Sequence, residues 1–169
     1  MRFQELEKIR HDLPRTFLED QAMPTEAARV PVHWGDVEYR IVLSSSESKG
    51  KLGLFESLTP VGGGPPRHVH HNEDEAFYVR SGKLKFWIDG RTTICGPGDA
   101  AFAPRGVEHT FKVIGDEPAR MLTTLTPGGM EAFFLEMAEG DYRLPDAIAQ
   151  VAEIAGRYGL KFTGPPLAD

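Results

Sequence analysis

The apolar residues of this chain change period twice. Near the N-terminus Phe3, Leu6, Ile9 and Leu13 recur at roughly helical intervals and Pro14 ends the run, which predicts a short helix and then a loop over residues 1 to about 20. From residue 37 the alternation becomes twofold. Val37–Leu43, Lys51–Leu58, Glu75–Arg80, Lys83–Ile88, Arg91–Cys95, Ala100–Ala103, Glu108–Ile114 and Arg120–Leu125 each read as a strand with one face turned inward. Turn-forming stretches separate them at Ser44–Gly50, Val61–Pro66, Ser81-Gly82, Asp89-Gly90 and Gly96–Asp99. Asp-Gly between alternating segments is a strong hairpin signal. Short, evenly spaced strands with frequent turns predict an all-β sandwich or barrel.

Beyond Pro127-Gly128-Gly129 the helical period returns. Met130–Glu139 is one predicted helix and Pro145–Tyr158 a second. The second has a proline near its start, an apolar stripe of Leu144, Ile148, Val151, Ile154, Ala155 and Tyr158, and Gly159 past its end. The stripe is expected to pack against the outer wall of the β-structure. The expected organisation is an N-terminal arm (1–36), a β-domain (37–127) and a helical tail packed on it (128–169), with no internal repeat.

Composition narrows the functional classes. The 169 residues, 40% hydrophobic and 26% charged, suffice for one domain with a substantial core. A formal charge of -6 with no basic stripe argues against nucleic acid and anionic membranes as partners. No apolar run approaches the ~18 residues of a membrane span, and the N-terminus has no apolar segment of the kind a secretory signal needs. The single Cys95 cannot form an internal disulfide, so a reducing cytoplasm is the expected location. Cys95 has no basic neighbour nearer than Arg91 and is not read as a nucleophile. The glycine-rich Val61–Pro66 lacks a following Lys-Ser/Thr and a helix, so it is not a phosphate loop.

The chemistry is concentrated in two segments. One runs Gly62-xxxxx-His68-x-His70-xxxx-Glu75-xxxxxx-Gly82, the other Gly98-xxxxx-Pro104-x-Gly106-xx-His109. Alternate residues of a strand share a face, so His68 and His70 point one way, and Val69 and His71 the other. Glu75, Phe77 and Val79 share a face, as do His109, Phe111 and Val113. If those faces line an interior, three imidazoles and a carboxylate converge within apolar walls, a donor set suited to a first-row divalent metal. Glu73 and Asp74 read as a solvated acidic turn, His11 and His33 as structural. Phe86, Trp87, Phe102, Phe111 and Met121 are read as mostly core, some of them able to wall a pocket.

The two segments resemble the paired motifs of the cupin superfamily, closely over residues 62 to 109. One departure is Val113, where the second motif usually ends in Asn. The resemblance implies an all-β, double-stranded β-helix (jelly-roll) cupin barrel with short N- and C-terminal helices. It implies His68, His70, Glu75 and His109 as metal ligands, and Gly62, Gly82, Gly98, Pro104 and Gly106 as turn formers. One divalent transition metal per chain is expected, with nickel, manganese, iron, cobalt and zinc all open. The likeness extends to small quercetin-dioxygenase-like cupins. That implies a dioxygenase acting on a small aromatic or enolic substrate, with dioxygen as co-substrate and a homodimer as the assembly. Glu75 is then the candidate catalytic base, its pKa expected to be raised by an apolar cavity. A non-catalytic ligand-binding cupin and a metal-dependent isomerase or decarboxylase remain alternatives, because one fold hosts many functions.

Overall fold

The computed structural model describes residues 30–144 and 146–168. The helix expected over residues 1 to about 20, and His11 with it, lie outside the described residues.

The eleven strands are β1 (Val32–Trp34), β2 (Val37–Leu43), β3 (Gly53–Thr59), β4 (Arg67–His70), β5 (Asp74–Ser81), β6 (Lys83–Ile88), β7 (Arg91–Cys95), β8 (Ala100–Ala103), β9 (His109–Ile114), β10 (Ala119–Thr126) and β11 (Leu160–Gly164). Helices α1 (Glu131–Glu139) and α2 (Ile148–Arg157) separate the last two strands. One sheet has the order β1-β2-β3-β10-β5-β8 and the other β11-β4-β9-β6-β7. Every pairing is antiparallel. From β3 to β10 the chain passes back and forth between the sheets, staying in one only for the β6–β7 hairpin. This is the winding of a double-stranded β-helix. In hydrogen-bonding terms the expected barrel is two facing sheets that do not join among the described residues.

Period two explains the core. On β5, Glu75, Phe77 and Val79 are buried while Ala76, Tyr78 and Arg80 are exposed. Two apolar clusters fill the space between the sheets. One joins Phe55, Leu125 and Leu160 to Phe133 and Met137 of α1 and Val151 and Ile154 of α2. The other is built on Phe77, Val79, Leu84, Phe86 and Met121. On the outer face of the six-stranded sheet, Glu56 is buried beneath Arg40, Arg80 and Arg120 and bonded to all three. These residues come from β3, β2, β5 and β10, so one carboxylate clamps four neighbouring strands. Burial opposes its ionisation, but the three guanidinium bonds hold its pKa below the ordinary value.

Two expectations change. The tail ends in a strand that the helical reading of residues 128–169 did not contain. Gly159 turns the chain at φ +73°, a conformation glycine adopts freely. Leu160 and Phe162 then sit opposite His70 and His68 as β11 pairs with β4. Phe102 is 57% exposed rather than core, because on β8 it pairs with Ala76 on the outward face of β5. Trp87 is half-buried, with the Arg67 guanidinium 5.6 Å from its ring centroid.

Leu160 joins β11 to the helices and, through β4, to the histidines. Leu160→Ala is expected to cost about 2–5 kcal/mol, the usual range for a buried leucine. Urea unfolding would measure it, and a loss below about 0.5 kcal/mol, the size of a surface change, would contradict this account of β11.

Candidate metal centre

His68 on β4 and His109 on β9 are the registered partners where those strands meet. His70 lies two residues along β4 on the same face, and Glu75 reaches across from the opposing sheet. All four are buried. Each offers one donor atom, and the four atoms lie within 4.8 Å of one another. Bonds of 2.0–2.1 Å to a shared ion would separate adjacent donors by about 3.0–3.4 Å and opposite ones by about 4.2 Å. Glu75 Oε2 is 3.0 Å from His109 Nε2 and 3.3 Å from His70 Nε2. The residues therefore fit a single divalent ion.

The far side of each ring supports the same conclusion. His68 Nδ1 donates to the Pro66 carbonyl at 2.8 Å and His109 Nδ1 to the Val107 carbonyl at 2.9 Å. A carbonyl only accepts, so both rings carry a proton on Nδ1 and turn Nε2 toward the shared position, where it would bind a metal once it carries no proton of its own. Behind His70 Nδ1 stands the Glu73 carboxylate, at 3.6 Å. Glu73 is only 4% exposed, so it is not the solvated acid expected from the sequence. The turn between β4 and β5 folds it back under His70, three residues earlier. Asp74 does lie at the surface, paired with Arg105 at 2.9 Å, and the arginine bonds lower its pKa to about 2. His71 is exposed, as parity required. His33 is exposed, 3.8 Å from Glu38.

Burial and mutual charge divide the cluster. Burial, with His109 and His70 adding to it, lowers the His68 pKa to about 3, so His68 stays neutral. Burial also acts against charge on His70, but Glu75 and Glu73 outweigh it and raise its pKa to about 9. Burial alone would push Glu75 upward, as the sequence reading expected. The positive field of His70, with the bonds from His109 and His70, drives it below the usual carboxylate range instead. Without a metal, Glu75 is a carboxylate anion facing an imidazolium.

A cavity of about 220 Å³ opens onto this cluster. Its walls include Trp34, Phe55, Phe77, Phe111, Phe133 and Phe134. Among the apolar walls lie Tyr39, Ser57 and Thr123, which the sequence reading passed over. Each is an oxygen-bearing residue at an inward position of an otherwise apolar face, and that was the available signal.

The pH response of the metal-free protein follows. Glu75, with a depressed folded pKa, contributes stability that is present above its unfolded value of about 4.3 and lost as pH falls. His70, raised to about 9, contributes stability that is complete below about 6.5 and lost as pH rises through 9. His68, neutral down to about 3, makes the fold less stable relative to the unfolded chain as pH drops below about 6.5. Urea midpoints of the chelated protein should therefore peak near pH 6.5, and His70→Gln should flatten the alkaline limb. A limb unchanged in the variant would contradict the assignment.

Comparison with known proteins agrees with this geometry. Residues 55–125 match the Cupin_2 family, described as "Cupin domain". Among relatives, "Polyketide synthase CurC" of Streptomyces cyaneus is 35% identical over 60 residues, 36% of this chain and 39% of that protein. "Oxalate-binding protein" of Thermotoga maritima is 27% identical over 92 residues, 54% of this chain and 76% of that protein. The solved structure of KdgF from Halomonas sp. superposes with a TM-score of 0.57 at 17% identity, covering 66% of this chain and 97% of that one, a likeness of fold. Winding, paired motifs and family match coincide, and residues 55–125 form a cupin domain.

Proposed function

We propose that this protein is a metal-dependent enzyme acting on a small aromatic or enolic substrate, which it cleaves with dioxygen. The observation that carries the reading is an aromatic-walled cavity that His68, His70 and Glu75 also line, with His109 clustered beside them. His68, His70, His109 and Glu75 would hold one divalent transition metal, which supplies a Lewis acid for a substrate oxygen and a template for dioxygen. Both oxygen atoms enter the products, so no external reductant is needed.

The chain's own groups set up the reaction. The aromatic walls take a flat ring and exclude water from it. Glu75, ionised rather than protonated, can accept the proton of a substrate hydroxyl. The Tyr39 phenol is pushed above its ordinary pKa by burial and by the Glu75 charge, so it stays protonated and remains a hydrogen-bond donor.

The relative named as a polyketide synthase supports an oxygen-bearing organic substrate. The oxalate-binding relative points to a small dianion. No lysine or arginine lines the cavity among the described residues, so nothing there would neutralise a second carboxylate, and the aromatic reading is preferred.

The homodimer expected from the resemblance belongs to the same proposal. Tyr78 and Phe102, 47% and 57% exposed on the outer face of the six-stranded sheet, are the apolar surface it would cover. Light scattering should give about twice 18.7 kDa, and Phe102→Glu should shift the mass toward one copy. A wild-type mass of one copy would overturn the dimer.

The activity is tested with quercetin and an oxygen electrode, after loading the chelated protein with nickel, manganese, cobalt or iron. Uptake of one dioxygen per quercetin consumed is expected with at least one metal. Glu75→Gln is expected to lower the rate by about 10²–10⁴-fold, the range for a general base. No uptake with any metal would remove the dioxygenase reading.

A further inference from the structure

The inner face of the six-stranded sheet carries a row of oxygen-bearing side chains across four adjacent strands. Tyr39 on β2 is the registered partner of Ser57 on β3. Ser57 faces Met121 on β10, and Thr123 lies two residues further along that strand. Thr123 faces Phe77 on β5, and Glu75 lies two residues further again. Registered partners share a face, and so do residues two apart, so all four point between the sheets and all four line the cavity. Both two-residue steps run in the same direction, so the row is a diagonal that ends at the candidate metal centre. Each step spans about 7–8 Å between neighbouring strands.

Two members of the row have no partner in the protein. Ser57 Oγ and Thr123 Oγ1 are buried and make no hydrogen bond. Ser57 is 2% and Thr123 0% exposed. Buried hydroxyls are nearly always bonded, and an orphan asks for an explanation. Here the row lies along the seam between the two core clusters: Thr123 stands between Met121 of one and Leu125 of the other. Alanine or valine would fill those positions without an unsatisfied group.

We propose that Ser57 and Thr123, with the Tyr39 hydroxyl, form a polar subsite for a second oxygen function of a flat aromatic ligand whose first oxygen lies at the His/Glu cluster. The inference rests on the proposed aromatic substrate class and narrows it to rings carrying oxygen at two separated positions. The hydroxyls can donate to a carbonyl or phenolate and accept from a phenol. A site built to hydrogen-bond a group discriminates strongly against the analogue that lacks it. Ser57 and Thr123 would thus set specificity, while the aromatic walls supply most of the apolar contact.

Trp34 lines the cavity, so its fluorescence can report binding to the full chain. The probes are quercetin and 3-hydroxyflavone, which share the metal-side hydroxyl-ketone but differ in their remote hydroxyls. The metal-loaded wild type is expected to bind quercetin at least about tenfold more tightly. In Ser57→Ala/Thr123→Val the ratio should fall toward one. Each single variant should melt at or above the wild type, because it removes an orphaned group without opening a large void. A ratio unchanged in the double variant, or neither probe binding, would overturn the subsite. Loss of the ratio with no oxygen uptake would keep the subsite and remove the dioxygenase reading. Uptake of oxygen with an unchanged ratio would do the reverse.

Discussion

The centre depends on a short stretch where β4 lies against β9. That contact has one registered pair, His68 with His109, and β4 is four residues long. A strand so short cannot hold three imidazoles in place through ladder bonds alone. The loops supply the rest. The Gly106 amide donates to the His70 carbonyl at 2.7 Å, and Thr110 Oγ1 donates to the Pro65 carbonyl at 2.7 Å. Gly62 and Gly63 exchange bonds with the backbone of Val113, the position where the second motif departs from its usual Asn. Gly64 packs so closely on β9 that a Cβ there would lie 2.0 Å from the Phe111 carbonyl oxygen. On its other edge β4 is held by β11. The glycines of the two motifs are thus the means by which distant histidines become neighbours.

Once those strands are fixed, the electrostatics follow. Four ionisable groups share a buried space, and isolated buried charges are expensive. The metal-free cluster meets that cost by leaving His68 neutral and pairing an imidazolium at His70 with the Glu75 carboxylate. The same low dielectric that raises the cost of a lone charge strengthens this pair. Glu73 adds a second negative charge behind His70 without entering the donor set. An arrangement poised around one shared positive charge is suited to exchanging protons for a divalent ion.

Most of this was legible in the sequence because a period of two carries direction as well as element type. Parity groups His68 with His70, Glu75 with Phe77 and His109 with Phe111, and sets His71 on the other face, while the family resemblance supplies the inward direction and the ligand set. Parity fails where a local feature competes with it. Glu73 looked solvated because turn residues obey no alternation, and only the fold of the turn shows it lying beneath His70. β11 was hidden by its length and its place after a helix, since five residues give too few alternations to separate a strand from a tail. An aromatic residue in a strand suggests an inward position, but at Phe102 the neighbours Ala101 and Ala103 hold the inward positions. The pKa of Glu75 moved opposite to expectation because the sequence reading weighed burial but not the imidazolium that burial would bring beside it.

The six-stranded sheet shows the same division of labour on its two faces. Arg40, Glu56, Arg120 and Arg80 lock β2, β3, β10 and β5 together from outside. Those four strands carry Tyr39, Ser57, Thr123 and Glu75 inside, with Tyr39 and Ser57 adjacent in sequence to Arg40 and Glu56. A sheet that keeps orphaned hydroxyls on its inner face gives up stability there. It can do so because four strands are held at their outer face by one carboxylate and three guanidinium groups. Sequences tend to break local rules at functional sites and compensate elsewhere. In this protein the break and the compensation lie back to back on the same strands, the arrangement expected if the inner face of β2, β3, β10 and β5 carries the proposed subsite.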